Sequence, residues 1–170
     1  MTMLEYWRWH YSDIYDLQDT IAEYIVGKAL GLTEAQNVGS WTLFDMKYRE
    51  KRIEVKETSY YHSWQGEDDK ISLVRNFGIS KAHDSYQDSA SPLNRQNDIY
   101  VFCLNIGKTR EESNPMKLEK WEFYIVPTAV INQKCGNQKS ISLKRIKALG
   151  YTPVDYLHLR HEIDRIIDKQ

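Results

Sequence analysis

Residues Trp41 to Trp64 read WTLFDMKYREKRIEVKETSYYHSW. Two β-rich runs, Trp41 to Arg49 and Arg52 to Thr58, flank a short charged turn around Glu50 and Lys51, which predicts an antiparallel hairpin. In the second run a period of two sends Ile53 and Val55 to one face and Glu54 and Lys56 to the other. A strand that buries one face ordinarily keeps its charge at the ends. Here an acid and an ammonium stand side by side in mid-strand, with Asp45 in the strand before them.

Upstream, DTIAEYIVGKALG places Ile21, Ala22, Ile25, Val26, Ala29 and Leu30 on one half of a helical wheel, with Gly31 where a C-terminal cap belongs. Glu23 lies at the margin of this apolar stripe, beside Gly27, from where it reaches a cleft. Downstream, DIYVFCLNI (Asp98 to Ile106) and WEFYIVP (Trp121 to Pro127) are near-continuous apolar runs of the kind found mid-sheet, covered on both faces. Between them and the hairpin, ISLVRNFGI suggests a short strand and HDSYQDSASPLNRQND a mobile polar loop. Two helices are expected at the end: SISLKRIKALG, closing at Gly150, and TPVDYLHLRHEIDRIIDK, with Thr152 as cap and Pro153 in its first position. The expected fold class is α/β, a central mixed β-sheet flanked by helices.

The length, 170 residues, suits a single domain spanning 1–170. No apolar run approaches the roughly 20 residues of a membrane span, and the N-terminus has neither the apolar stretch nor the cleavage site of a signal peptide, so a cytoplasmic location without a membrane partner is expected. Cys103 and Cys135 stand far apart and read as buried, reduced thiols. A net charge of −1 argues against indiscriminate coating of nucleic acid, although Lys47, Arg49, Lys51, Arg52 and Lys56 crowd into ten residues.

Asp45 followed by Glu54-x-Lys56 has a chemical rationale. Two carboxylates on neighbouring strands can hold a hard divalent cation that keeps several waters, and an adjacent Lys can orient one of those waters and offset charge that develops in a transition state. The tripeptide is weak by itself, because Asp45-Met-Lys47 and Asp68-Asp-Lys70 are also acid-x-Lys. Its setting is more informative: a strand, one hairpin after Asp45, behind an amphipathic helix that carries a marginal Glu.

In this order of elements, over roughly residues 16 to 127, the chain resembles the PD-(D/E)XK nuclease superfamily. The matching residues are Asp45, then Glu54, Val55 and Lys56, with Glu23 on the preceding helix; Phe44 stands where the family's name has Pro. The resemblance implies a restriction-endonuclease-like three-layer core and Mg²⁺-dependent hydrolysis of phosphodiester bonds, usually in DNA, with Mn²⁺ able to substitute and RNA not excluded. It implies that Asp45, Glu54 and the Val55 carbonyl bind the metal, that Lys56 positions the attacking water, and that Glu23 contacts a metal through water or completes a second metal site. A lone centre cuts one strand at a time, so a homodimer or larger assembly is compatible with this reading. The competing readings are a nuclease-like domain without activity that serves as a nucleic-acid-binding or assembly module, and an exposed hairpin face with a surface ion pair.

Candidates for contact with nucleic acid are Lys47, then Tyr60 and Tyr61 directly after the site strand, and Lys144 and Arg145 within KSISLKRIK. A solvated helix face explains the last two equally simply. His158, His161 and Glu162 share one side of the last helix but lack the spacing of a zinc motif, and no Ser-His-Asp set, phosphate loop or dinucleotide fingerprint is present.

Overall fold

The computed structural model describes residues 2–10, 17–32, 42–62, 65, 71, 74–83 and 90–169, the side chains of 7–10 excepted. Trp41, Trp64 and residues 84–89 of the expected polar loop lie outside the described residues. The elements run α1 (Met3–His10), α2 (Gln18–Leu30), β1 (Met46–Tyr48), β2 (Lys51–Ser59), β3 (Asn76–Gly78), β4 (Ile99–Asn105), β5 (Trp121–Pro127), α3 (Thr128–Cys135), β6 (Ser140–Ser142), α4 (Leu143–Ala148) and α5 (Tyr156–Ile167). Four strands form a mixed sheet in the order β1-β2-β4-β5, and β3 pairs with β6 in a separate two-stranded ribbon. Within the sheet β1 and β2 are antiparallel, β2 and β4 parallel, β4 and β5 antiparallel. The chain is therefore α/β, as the run of elements predicts.

β4 sits at the centre because its residues are apolar at both parities. All seven are buried, which requires a layer on each face. On one face Ile53, Val55, Ile99, Val101 and Cys103 meet Ala22, Ile25, Val26 and Leu30 of α2 and Leu159, Ile163 and Ile166 of α5. On the other, Tyr100, Phe102 and Leu104 pack against Phe77 and Ile79, Ile131 of α3, Ile141, and Ile146 of α4. α2 ends as its sequence requires: Gly31 has φ 73°, and its N–H donates to the carbonyls of Gly27 and Lys28. Both cysteines are buried, free thiols. Among the described residues no helix is long and apolar enough to cross a membrane.

Four boundaries differ from the sequence expectation. The strand expected over Trp41 to Arg49 contracts to Met46–Tyr48, because the Thr42 hydroxyl donates to the Phe44 carbonyl at 2.7 Å and holds the chain in a local bend. The hairpin turns at Arg49 and Glu50, with φ of 46° and 65°, one residue before the expected pair. Without glycine there, the left-handed backbone is held through Arg49, whose guanidinium bonds Asp164 at 3.0 Å and Asp168 at 2.8 Å on α5. The last helix is capped by Asp155 rather than Thr152, since Val154 exchanges both backbone hydrogen bonds with Phe123 and keeps the preceding residues out of the helix. β3 falls within the short strand expected over ISLVRNFGI, whereas α3 and β6 were not expected: SISLKRIKALG starts as the strand Ser140–Ser142, paired with β3, and turns helical only at Leu143.

After β4 the chain doubles back tightly. The Asn105 amide donates to the Ser113 carbonyl at 3.0 Å and its Oδ1 accepts from Gly107 N–H at 3.0 Å. A Cβ on Gly107 would stand 2.3 Å from the Ser113 nitrogen and 2.5 Å from the Glu112 carbonyl carbon, both backbone atoms with no rotamer to escape into. Gly107→Ala is expected to cost about 2–4 kcal/mol in urea unfolding; a cost below 0.5 kcal/mol contradicts this packing.

Candidate active site

The site lies where β1 stops pairing with β2. The β1 ladder covers only Met46 to Tyr48 against Lys51 to Ile53. Just before it, the Asp45 N–H donates to the Ile53 carbonyl at 3.0 Å, while the Asp45 Oδ2 accepts from the Val55 N–H at 2.6 Å. The carboxylate thus replaces the next rung of the ladder and satisfies a donor that the short strand leaves open. Along a strand the N–H and C=O of one residue face the same side, so the Val55 carbonyl points to this open edge, beside Asp45.

Glu54 and Lys56, two residues apart and hence on one face, form an ion pair with Lys56 Nζ 2.5 Å from Glu54 Oε1. Glu23 reaches the same group from α2, which is fixed by its apolar face on β2. Glu23, half-buried, has its carboxyl pushed up to about 7 by burial, by the negative charge of Asp45 and then by Asp19 and Glu54, with Lys56 opposing. Asp45 is raised by burial, against the Val55 N–H and Lys56, which lower it. Glu54 is raised by burial and by Asp45, with Lys56 working the other way. For Lys56, burial favours the neutral amine, but Glu54, Asp45 and Glu23 together win and hold the ammonium above its ordinary range. Burial is the largest influence on each of the four, and most of the charges that act on them are one another's.

Lys56 therefore stays a cation at neutral pH. The carboxylates carry uncompensated burial, three against one ammonium, a state that a divalent cation relieves. Among the described residues no three His, Cys, Asp or Glu side chains gather tightly enough to hold a metal ion by themselves. The donors that fit a hard cation are Asp45, Glu54 and the Val55 carbonyl, with water completing the shell and Glu23 acting through it.

Asp45 permits a clean separation of charge from hydrogen bonding. Asp45→Asn keeps an acceptor for the Val55 N–H and removes the buried charge, so the metal-free protein is expected to be at least as stable as wild type at pH 8 while Mn²⁺ affinity falls at least tenfold by calorimetry. A destabilised variant that binds Mn²⁺ normally contradicts this geometry.

Other expected contacts are distributed differently. Lys47 is ion-paired with Glu50 at 2.7 Å on the exposed side of β1. The Tyr60 ring carries the Arg75 guanidinium 5.3 Å from its centroid. Tyr61 is buried, its hydroxyl donating to the Gln65 carbonyl at 3.2 Å. Lys144 and Arg145 are exposed on α4, and the Arg145 N–H is capped by the Ser142 hydroxyl at 3.1 Å. Neither is among the charges that act on the four site groups. On α5, His158 is paired with its own cap, Asp155, at 2.7 Å, and Glu162 with Arg165.

The structure adds Glu57, which the sequence reading passed over. Its carboxyl is pushed up to about 8 by burial and by Asp19, with Arg75 opposing, and its Oε1 is buried without a hydrogen-bond partner among the described residues. The signal was present: Glu57 shares the parity of Ile53 and Val55, an acid in an apolar register. No family model, curated protein or solved structure matches the chain.

Proposed function

We propose that the chain is a divalent-metal-dependent nuclease of the PD-(D/E)XK kind, with a restriction-endonuclease-like core, hydrolysing phosphodiester bonds in DNA. The observation that carries this reading is that Glu23, Asp45 and Glu54 all act on Lys56 at the free edge of β2, each carboxyl raised chiefly by burial and those of Glu23 and Glu54 by the charge of Asp45 as well. A bound Mg²⁺ or Mn²⁺ supplies charge neutralisation and a more acidic water. Asp45, Glu54 and the Val55 carbonyl would hold it, with Glu23 as the outer carboxylate. The Lys56 ammonium orients the attacking water and offsets negative charge on the phosphoryl oxygens. The Asp45 carboxylate stays aimed because the Val55 N–H fixes one of its oxygens at 2.6 Å.

The second reading, a nuclease-like module without activity, draws on the Lys56–Glu54 contact, which satisfies each group in the absence of a cation. Calorimetry separates the two. The nuclease reading expects Mn²⁺ to bind the wild type and to bind Glu54→Gln at least tenfold more weakly, with affinity rising between pH 6 and 8 as Glu23 ionises around pH 7. Nucleic-acid binding in EDTA without any Mn²⁺ binding favours the inactive module.

A further inference from the structure

The outer face of α2 holds a side-chain stripe that neither the core nor the carboxylate group uses. Tyr24 is 62% exposed, one residue after Glu23. Lys28, one turn on, lies with its Nζ 5.7 Å from the Tyr24 ring centroid. Gly27, a turn from both Glu23 and Tyr24, has nothing within 4 Å of where its Cβ would stand, so the surface between them is open. At the end of the helix a Cβ on Gly31 would lie 3.8 Å from the Arg160 guanidinium, which reaches over from α5 and is itself exposed. Charge changes sign along the stripe. Asp19 and Glu23 occupy the end that meets the carboxylate group, and Lys28 and Arg160 the other, where Asp164 lies 3.8 Å from the Arg160 guanidinium and also pairs with Arg49.

We propose that this stripe binds an unpaired segment of the nucleic acid, with Tyr24 stacking on a base and Lys28 and Arg160 holding adjacent phosphates as the strand leads away from the cleft. The inference rests on the nuclease reading and narrows its substrate to strands with an accessible single-stranded stretch. A Lys in a last helical turn is favoured by the helix dipole alone. That does not account for a solvent-facing aromatic ring beside it, bordered by glycine. A ring on a convex helix surface can stack only on a base already out of a duplex stack, and the glycines offer no donors for reading groove edges.

Fluorescence anisotropy in EDTA, where cleavage is blocked, tests this with a 15-nucleotide single strand and the duplex of the same sequence. Wild type is expected to prefer the single strand. Tyr24→Ala is expected to weaken single-strand binding about tenfold, with Tyr24→Phe close to wild type, and Lys28→Ala to reduce the salt slope by about 0.7. Both residues are exposed, so melting temperatures should be unchanged. If wild type cleaves nucleic acid yet Tyr24→Ala binds single strands normally, or if duplex is preferred, the inference is overturned and the nuclease reading survives. If wild type neither binds nor cleaves any nucleic acid, both fall.

Discussion

Lys56→Ala is expected to lower metal-dependent phosphodiester cleavage by about 10²–10³-fold, the loss typical of removing one preorganised charge donor from a reacting centre. The effect should fall on kcat more than on KM, because the ammonium acts where charge develops and the bulk of substrate contact lies elsewhere. Lys56→Arg keeps the charge but replaces a compact ammonium with a wide planar fork, so it should recover little of the rate. Folding is a separate readout. The variant loses the partner of Glu54, 2.5 Å away, and the carboxyl, already raised by burial, takes up a proton at higher pH instead of remaining as an unpaired charge. A variant that melts cooperatively and cleaves as fast as wild type contradicts the assigned role of Lys56.

The second large effect is on stability against pH. Glu57 titrates at about 8 and Glu23 at about 7 in the folded chain, each raised from 4.5, mainly by burial. A raised carboxyl keeps its proton in the native state after the unfolded chain has lost it, so the contribution of these two groups is full below pH 4.5 and is lost as pH rises through 7 and 8. Glu57→Gln removes the titration at the more buried group. It is expected to match wild type at pH 5 and to exceed it by about 2 kcal/mol at pH 9 in urea unfolding with EDTA. The same difference at both pH values would mean that burial of the ionised carboxylate is not the cause. Mn²⁺ should reverse part of the decline for wild type, because the cation binds the ionised carboxylates and so favours the native state as pH rises.

The parts of the fold set by strong periodicity were legible in sequence. α2 with its Gly31 cap, the alternation in β2 and the buried runs of β4 and β5 follow from 3.6- and 2-residue patterns that tertiary structure had only to accept. Where a local hydrogen bond competes, sequence reading failed: Thr42 bends the chain ahead of β1, and Val154 pairs with Phe123 instead of starting a helix at Thr152. The parallel pairing of β2 with β4 was also hidden, because register between strands so far apart in the chain is decided by packing and not by either strand alone.

The candidate site divides the same way. Asp45, Glu54 and Lys56 stood out as charge in apolar surroundings. How they meet did not: the 2.6 Å bond from the Val55 N–H to Asp45 exists because β1 is only three residues long. Glu57 does not belong to the charged face of β2 that marks the site in the sequence; this acid lies in register with Cys103 on the apolar face. The exposed Tyr24 was overlooked for the opposite reason, since one aromatic at a helix surface is common and only its neighbours Lys28, Gly27 and Arg160 give it meaning.

The most direct measurement is cleavage of supercoiled plasmid and of single-stranded DNA by the purified wild-type protein, with Mg²⁺ or Mn²⁺ and in EDTA, beside Lys56→Ala and Asp45→Asn prepared identically. The account predicts metal-dependent strand breaks by wild type that vanish in EDTA and in both variants. No cleavage of either substrate with either metal, or cleavage that survives both substitutions, would contradict a hydrolytic centre built from Asp45, Glu54 and Lys56.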